Sequence, residues 1–149
     1  MNIFESDFRD FIDALNVSKT EYIVVGGYAV IMNGYYRTTQ DLDIWVNKTP
    51  ENYIRLRKGF AIFGMPIFDI TEENFLGNNF DVFSIGRKPL QIDIITRLKG
   101  VGFEVAYINA NLKNLEGLDV RYLHITELIQ AKKAAGRYKD LDDIEKLSP

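Results

Sequence analysis

Two aspartates, Asp41 and Asp43, stand one residue apart in the run DLDIWV. Side chains on a strand alternate faces, so both carboxylates point one way while Leu42, Ile44 and Val46 point the other. Two like charges so placed repel each other unless a cation lies between them. An oxygen-only pair suits a hard ion such as Mg²⁺, which is typically held by one or two carboxylates together with substrate phosphates. Upstream, Gly26-Gly27 follows the apolar run Tyr22–Val25 and precedes a compact helical patch over residues 29–32, stopped at Asn33-Gly34. Glycine tolerates positive φ and lets a ligand approach the backbone closely. The start of a helix offers free N–H groups and the positive end of a dipole to an anion such as phosphate. Taken singly, a Gly-Gly reads as a turn and a D-x-D as a solvated strand face. Joined on one strand–turn–helix–strand unit, they are the minimum equipment for phosphoryl or nucleotidyl transfer.

Three other places hold chemistry-bearing residues. Asp93 lies among Ile92, Ile94 and Ile95, and a carboxylate in an apolar strand is costly unless it is paired or bound to a cation. Facing water on an edge strand is the plainer alternative, with Asp81, at a strand start, the fallback candidate. Arg37, Thr38 and Thr39 sit in the loop between Gly34 and Asp41, at the mouth of the suggested site. There Arg37 can meet a phosphate in forked geometry, pair with one of the aspartates, or stay in water. In the C-terminal stretch ITELIQAKKAAGRYKDLDDIEKL, Lys132 has Leu128 and Ile129 one turn behind and Ala135 and Gly136 one turn ahead. A lysine on or beside an apolar face must snorkel outward or serve a site. Lys133 reads as solvated, and Gly136 weakens the helix before Arg137, Lys139 and Asp140. Their plain reading is helix-surface charge, with Asp140, Asp142 and Asp143 favoured near a helix start. His124, the single histidine, is given no role.

Gly26-Gly27, Ala29, Gly34, Arg37, Thr39 and Asp41-Leu42-Asp43-Ile44 resemble the signature of the minimal nucleotidyltransferases, the superfamily that shares the DNA polymerase β-like palm. Within it the chain looks most like the small bacterial AbiEii-type toxin nucleotidyltransferases and their uncharacterised relatives. The likeness covers nearly the whole chain. Its ending resembles K-x-A-A-G-R-x-K-D-L-x-D, with Lys132, Gly136, Arg137, Lys139, Asp140 and Asp143 on the marked positions. The resemblance implies that Asp41, Asp43 and Asp93 are catalytic and hold one or two Mg²⁺ ions, with Asp93 also helping to take a proton from an acceptor hydroxyl. It implies nucleotide-binding roles for Gly26, Gly27, Arg37, Thr39, Lys132, Arg137, Lys139 and Asp140. The implied substrate is an NTP, and the implied acceptor is RNA, such as a tRNA end, or a small molecule. An antitoxin-like partner protein, oligomer formation and a cytoplasmic setting belong to the same expectation. The competing reading is a catalytically silent nucleotide-binding or regulatory protein with the same fold, whose mark would be a missing carboxylate; all three are present.

The elements that must position these groups can be read along the chain. Residues 4–15 form an amphipathic helix by the spacing of Phe4, Phe8, Phe11, Ile12 and Leu15. Strands follow at 22–25 and 41–46. Thr49 caps and Pro50 opens a helix running to about Phe63, with Tyr53, Leu56, Phe60 and Phe63 as its buried stripe and Gly64 as its stop. Residues 65–80 read as an irregular connection in which Thr71 caps a short helix through Phe75. Residues 80–85 and 90–96 form a hairpin joined at Gly86–Pro89. Gly100, Gly102 and Phe103 read as architecture, Glu116-Gly117 as a turn and 118–123 as a last strand; the final helix opens at Thr126 or the residue before. The fold expected is α/β, a nucleotidyltransferase-type mixed sheet of four to six strands with helices packed mainly on one face, in a single domain.

Composition agrees. The 149 residues are 46% hydrophobic and 26% charged, with no cysteine, so neither a disulfide nor a thiolate metal site exists. No apolar run approaches bilayer length, and the acidic start with Glu5, Asp7 and Asp10 is unlike a signal peptide. The net charge of −3 weakly opposes unaided nucleic-acid binding, which is driven largely by phosphate neutralisation.

Overall fold

The computed structural model describes residues 4–67, 70–87 and 90–147. Six strands form one mixed sheet in the order β3-β4-β2-β1-β6-β5. The strands are β1 (Tyr22–Val25), β2 (Asp41–Val46), β3 (Val82–Arg87), β4 (Leu90–Ile95), β5 (Asn111–Leu115) and β6 (Leu118–Tyr122). Three antiparallel pairs, β1–β2, β3–β4 and β5–β6, are joined by two parallel contacts, β2–β4 and β1–β6. The helices are α1 (Ser6–Val17), α2 (Gly26–Met32), α3 (Pro50–Phe63), α4 (Glu72–Leu76), α5 (Phe103–Asn109), α6 (Ile125–Ala135) and α7 (Tyr138–Leu147). Among the described residues no helix is long and apolar enough to cross a membrane.

Period-two alternation divides the sheet into two buried faces. Tyr22, Val24, Leu42, Ile44, Val46, Ile92, Ile94 and Val120 join the larger core with Phe8, Phe11 and Leu15 of α1, Leu56 and Phe60 of α3, and Phe75 of α4. Phe11 meets Phe60 and Phe63 edge-on, with ring centres 5.4 and 5.2 Å apart. Ile23, Val25 and Trp45 face the other way, against Ala29 and Val30 of α2, Ala106 of α5, Leu128 of α6 and Leu147 of α7. The helices are therefore shared between both faces, not packed mainly on one. The reason is β1 itself: its four residues are all buried, so both of its faces need cover.

The predicted caps hold at the expected places. Thr49 Oγ1 accepts from the Asn52 N–H at 3.1 Å, Pro50 opens α3, and Gly64 closes it at φ +87°. Thr71 caps α4 in the same way. Asn52, wholly buried, accepts from the Glu21 N–H and donates to the carbonyls of Glu21 and Asn47. It thereby pins the start of α3 to the β1 and β2 ends, with its polar atoms satisfied. The hairpin β3–β4 forms, but β3 runs Val82–Arg87 and not 80–85, so Gly86 and Arg87 pair with Gln91 and Leu90 instead of forming the joining loop; residues 88–89 lie outside the described residues. Helix α5 and strand β5 are additional to the elements read from sequence. The C-terminal stretch is two helices, broken at Gly136 with φ +67°.

Candidate active site

The parallel register of β2 and β4 sets Asp43 beside Asp93 and Asp41 beside Gln91. By alternation, all four lie on the face of Trp45 and Ile95, under α2, α6 and α7. The first expectation drawn from sequence, carboxylates along one strand face joined by one from a later strand, is the arrangement found. Asp43 and Asp93 approach closely enough to share a hydrogen bond. Burial first, then the charge and hydrogen bond of Asp93 and the charge of Asp41, push the Asp43 carboxyl up to about 7, with Lys139 opposing in part. Below about pH 7 Asp43 therefore holds a proton, which a bound cation would displace. Gln91 Nε2 donates to Asp93 Oδ1 at 2.8 Å and fixes that carboxylate from the side.

The fit for a metal can be judged on these groups. Among the described residues no three acidic or histidine side chains close on a single point. The crowded, all-oxygen Asp43–Asp93 pair with Asp41 one pleat away matches instead the Mg²⁺ pattern in which substrate phosphates complete the shell.

The glycine pair has a specific geometric cause. Across the β1–β2 ladder Val25 opposes Asp43, so the next residue, Gly26, passes directly over the carboxyl. A Cβ on Gly26 would lie 2.1 Å from Asp43 Oδ2, and the residue has φ +64°. A Cβ on Gly27 would lie 2.6 Å from Thr39 Oγ1 and 3.1 Å from an Arg37 guanidinium nitrogen. Both glycines are thus demanded by the chain's own Asp43, Thr39 and Arg37 closing over the start of α2.

The basic residues divide. Lys132, with 5% exposure, places Nζ 3.3 Å from Asp140 Oδ1 and 3.1 Å from Asp143 Oδ2. Arg137 grips Asp140 bidentately, Nε–Oδ2 2.6 Å and Nη2–Oδ1 3.2 Å, and adds its backbone N–H. Burial alone would raise the Asp140 carboxyl, but the Arg137 hydrogen bonds and the charges of Lys132 and Arg137 hold it below the usual carboxylate range. Arg37 reaches Asp143 at 3.4 Å, and among the described residues its buried Nε has no hydrogen-bond partner. Asp140 and Asp143 thus act as counter-ions to Lys132, Arg137 and Arg37. Lys139, by contrast, lines an open polar cavity of about 340 Å³ with Gly27, Arg37, Thr38, Thr39, Gln40, Asp41 and Asp43.

No protein-family model and no curated protein sequence matches the chain. Solved structures do. A nucleotidyltransferase-class protein from Thermotoga maritima aligns over 93% of this chain and 88% of its own, at 15% identity and a TM-score of 0.64. The lincosamide antibiotic adenylyltransferase LnuA, with lincomycin bound, aligns over 99% and 98%, at 14% identity and a TM-score of 0.63. An antigenic nucleotidyltransferase-like protein from Paracoccidioides brasiliensis aligns over 97% and 77%, at 13% identity and a TM-score of 0.55. The chain has the nucleotidyltransferase fold.

In this nucleotidyltransferase fold two contributors escaped the sequence-based residue set. Gln91 shares the strand face of Asp93 one pleat away, and that period-two spacing was its available signal. Asp143 matched the C-terminal pattern, but its pairing with Lys132 and Arg37 depends on the fold of α7 back across α6. His124 accepts from the Thr126 N–H at 3.1 Å and caps α6, a structural task. A cavity of about 380 Å³ between α3 and β3 is lined by Phe60, Ile70 and Phe83 among others and, among the described residues, carries no ionisable side chain.

Proposed function

We propose that the protein is a Mg²⁺-dependent nucleotidyltransferase that moves an NMP from an NTP to an acceptor hydroxyl. The observation that carries this reading is the in-register Asp43–Asp93 pair opening onto a polar cavity lined by Arg37, Thr39 and Lys139. The fold shared with nucleotidyltransferases supports it. Asp41, Asp43 and Asp93 are the residues that would hold one or two Mg²⁺ ions, which supply charge neutralisation at the reacting phosphate when bound. Lys139 and Arg37 neutralise the polyphosphate, and the Thr38 and Thr39 hydroxyls orient it. Gly26 and Gly27 keep the backbone close beneath. Lys132, Arg137 and Asp140 shape the wall behind Asp43 and set its field. The acceptor oxygen bonds to the α-phosphorus, the bond to the bridging oxygen breaks, and pyrophosphate departs. Asp93, steadied by Gln91, takes the hydroxyl proton and passes it to solvent.

Assignment to the AbiEii-type toxin group, with an antitoxin-like partner and a cytoplasmic setting, belongs to this proposal and rests on the sequence motifs alone. A second reading, an NTP-binding regulatory protein without transfer, draws on one observation: Lys132, Arg37 and Arg137 are already engaged by Asp140 and Asp143.

Titration of the four NTPs with Mg²⁺ by calorimetry, on the wild type and on Asp41→Asn/Asp43→Asn, tests the site. Binding that weakens by about 100-fold or more in the variant and pyrophosphate release by the wild type are expected. Binding without release selects the regulatory reading, and equal binding by both proteins refutes the site.

A further inference from the structure

The two edges of the six-stranded sheet differ. On β5 the middle residue is Lys113, which is exposed. Two copies meeting antiparallel about that residue would set like charges opposite each other, a common protection of a free edge. Strand β3 has no such protection. Its residues 82–86 are Val-Phe-Ser-Ile-Gly, and among the described residues nothing pairs with its outer side. We infer that β3 is an interface for a second copy of this chain. The two β3 edges pair antiparallel about a two-fold axis at Ser84 and join two sheets into one.

Three observations carry it. The first is the direction of the backbone groups. The Thr96 N–H donates to the Asp81 carbonyl at 2.9 Å, one step beyond the Val82–Ile95 partnership. Hydrogen-bonded and non-hydrogen-bonded pairs alternate along an antiparallel ladder. Phe83 and Ile85 therefore direct their N–H and C=O groups to β4, while Val82, Ser84 and Gly86 turn theirs outward. The second is residue order. The two-fold at Ser84 sets Ser84 against itself, Val82 against Gly86, Phe83 against Ile85 and Asp81 against Arg87. Outward-directed residues thus meet one another, apolar residues meet apolar residues or glycine, and acid meets base at each end. Moving the axis to Phe83 or Ile85 leaves the two charges unmatched. The third is uncovered apolar surface. Phe80 and Val82 are 49% and 50% exposed. The cavity of about 380 Å³ is lined by Val82 and Ser84 from one face of β3 and by Phe83 and Ile85 from the other. It therefore reaches round the free edge, where a second strand would close it.

The pairing also relates the two candidate sites. Residues directly opposite in a ladder share a face, and Ser84 stands opposite Asp93. The carboxylates of both copies therefore open on the same face of the joined sheet. Asp93 and its counterpart lie three strand steps apart, about 14 Å. The interface does not depend on the transfer reading, and holds for a catalytic or a regulatory protein alike.

Sedimentation equilibrium of the full chain over a range of concentrations is the first readout. A species of twice the chain mass that dissociates on dilution is expected. Ser84→Pro removes an outward N–H that β4 does not use, a position where an edge strand tolerates proline. That variant should stay a single chain at the concentrations where the wild type pairs. Ser84→Cys, in a chain without cysteine, reads the register and serves should the proline variant fail to fold. Hydrogen-bonded antiparallel partners have Cα atoms about 5.5 Å apart, within disulfide reach. Under mild oxidation Ser84→Cys should form linked dimers about tenfold faster than Lys113→Cys on the other edge. Single chains at every concentration overturn the inference, as does a dimer that Ser84→Pro leaves unchanged. Equal linking rates for the two cysteine variants overturn it as well.

Discussion

Replacing Asp43 by Asn should change how folding stability depends on pH. In the unfolded chain this carboxyl releases its proton near 3.8; in the folded protein it holds the proton up to about 7, because it is buried beside Asp93 and Asp41. Between those values the folded state binds more protons than the unfolded state, so raising the pH destabilises the fold through Asp43. Its contribution is fully present below about pH 4 and is lost as pH passes 7. A gap of about three pH units at about 1.4 kcal/mol each sets a ceiling of about 4 kcal/mol, which residual solvent contact lowers to about 2–4 kcal/mol. Asn keeps the shape over Gly26 and can donate to Asp93 as the protonated acid does. Urea unfolding at pH 4, 5, 6 and 8 should therefore show the two proteins equal within about 1 kcal/mol at pH 4 and already about 1–2 kcal/mol apart at pH 5. At pH 8 the variant should be the more stable by about 2–4 kcal/mol. Groups that titrate in both proteins cancel in the difference. Millimolar Mg²⁺ should narrow the gap at pH 8 by stabilising the wild type alone. Parallel curves for the two proteins would show that Asp43 is not held protonated by its neighbours and would refute the reasoning.

Gly26→Ala puts a Cβ against Asp43 Oδ2 at φ +64° and should destabilise by about 1–3 kcal/mol in the same assay, with wild-type stability as the contrary result. Lys132→Met removes the buried cation between Asp140 and Asp143 and should cost about 3–5 kcal/mol. Adding Asp143→Asn should restore part of that, and a strictly additive double variant would show that the two charges do not act together.

Legibility from sequence followed the range of the interactions. The alternation of Asp41 to Val46, the Thr49-Pro50 start and the Gly64 stop are local signals, and the structure agrees with each. Strand β5 offered no such signal. Its residues Asn111, Lys113 and Asn114 give no alternation, and it exists because β6 pairs with it and because Arg9 of α1 donates to the Leu115 carbonyl at 2.9 Å. Helix α5 is only seven residues long and is held by Phe103 and Tyr107, stacked with ring centres 5.3 Å apart, beneath Trp45. At the candidate site the carboxylate residues were legible, but not what fills the space above the glycines. The Gly-Gly pair suggested room for a ligand; the space a side chain would occupy there is taken by Asp43, Thr39 and Arg37, while Gly27 still lines the open polar cavity. Lys132 stood visibly on an apolar face, yet its carboxylate partners lie beyond the break at Gly136. A helical repeat carries no information about a chain that turns back.

The two parallel contacts in the sheet bear on when this site comes into being. Asp41 and Asp43 belong to the β1–β2 pair and Asp93 to the β3–β4 hairpin, units that can each form from nearby chain. They meet only along the β2–β4 seam, a non-local pairing whose loop-closure cost must be met before its contacts form. The seam closes by bringing the Asp43 carboxyl against Asp93, so the contact that brings the carboxylates together is one that their electrostatics oppose. Neither unit alone carries the full carboxylate set. Any opening that parts the seam separates Asp43 from Asp93, so closing this part of the sheet and assembling the carboxylate set are a single event.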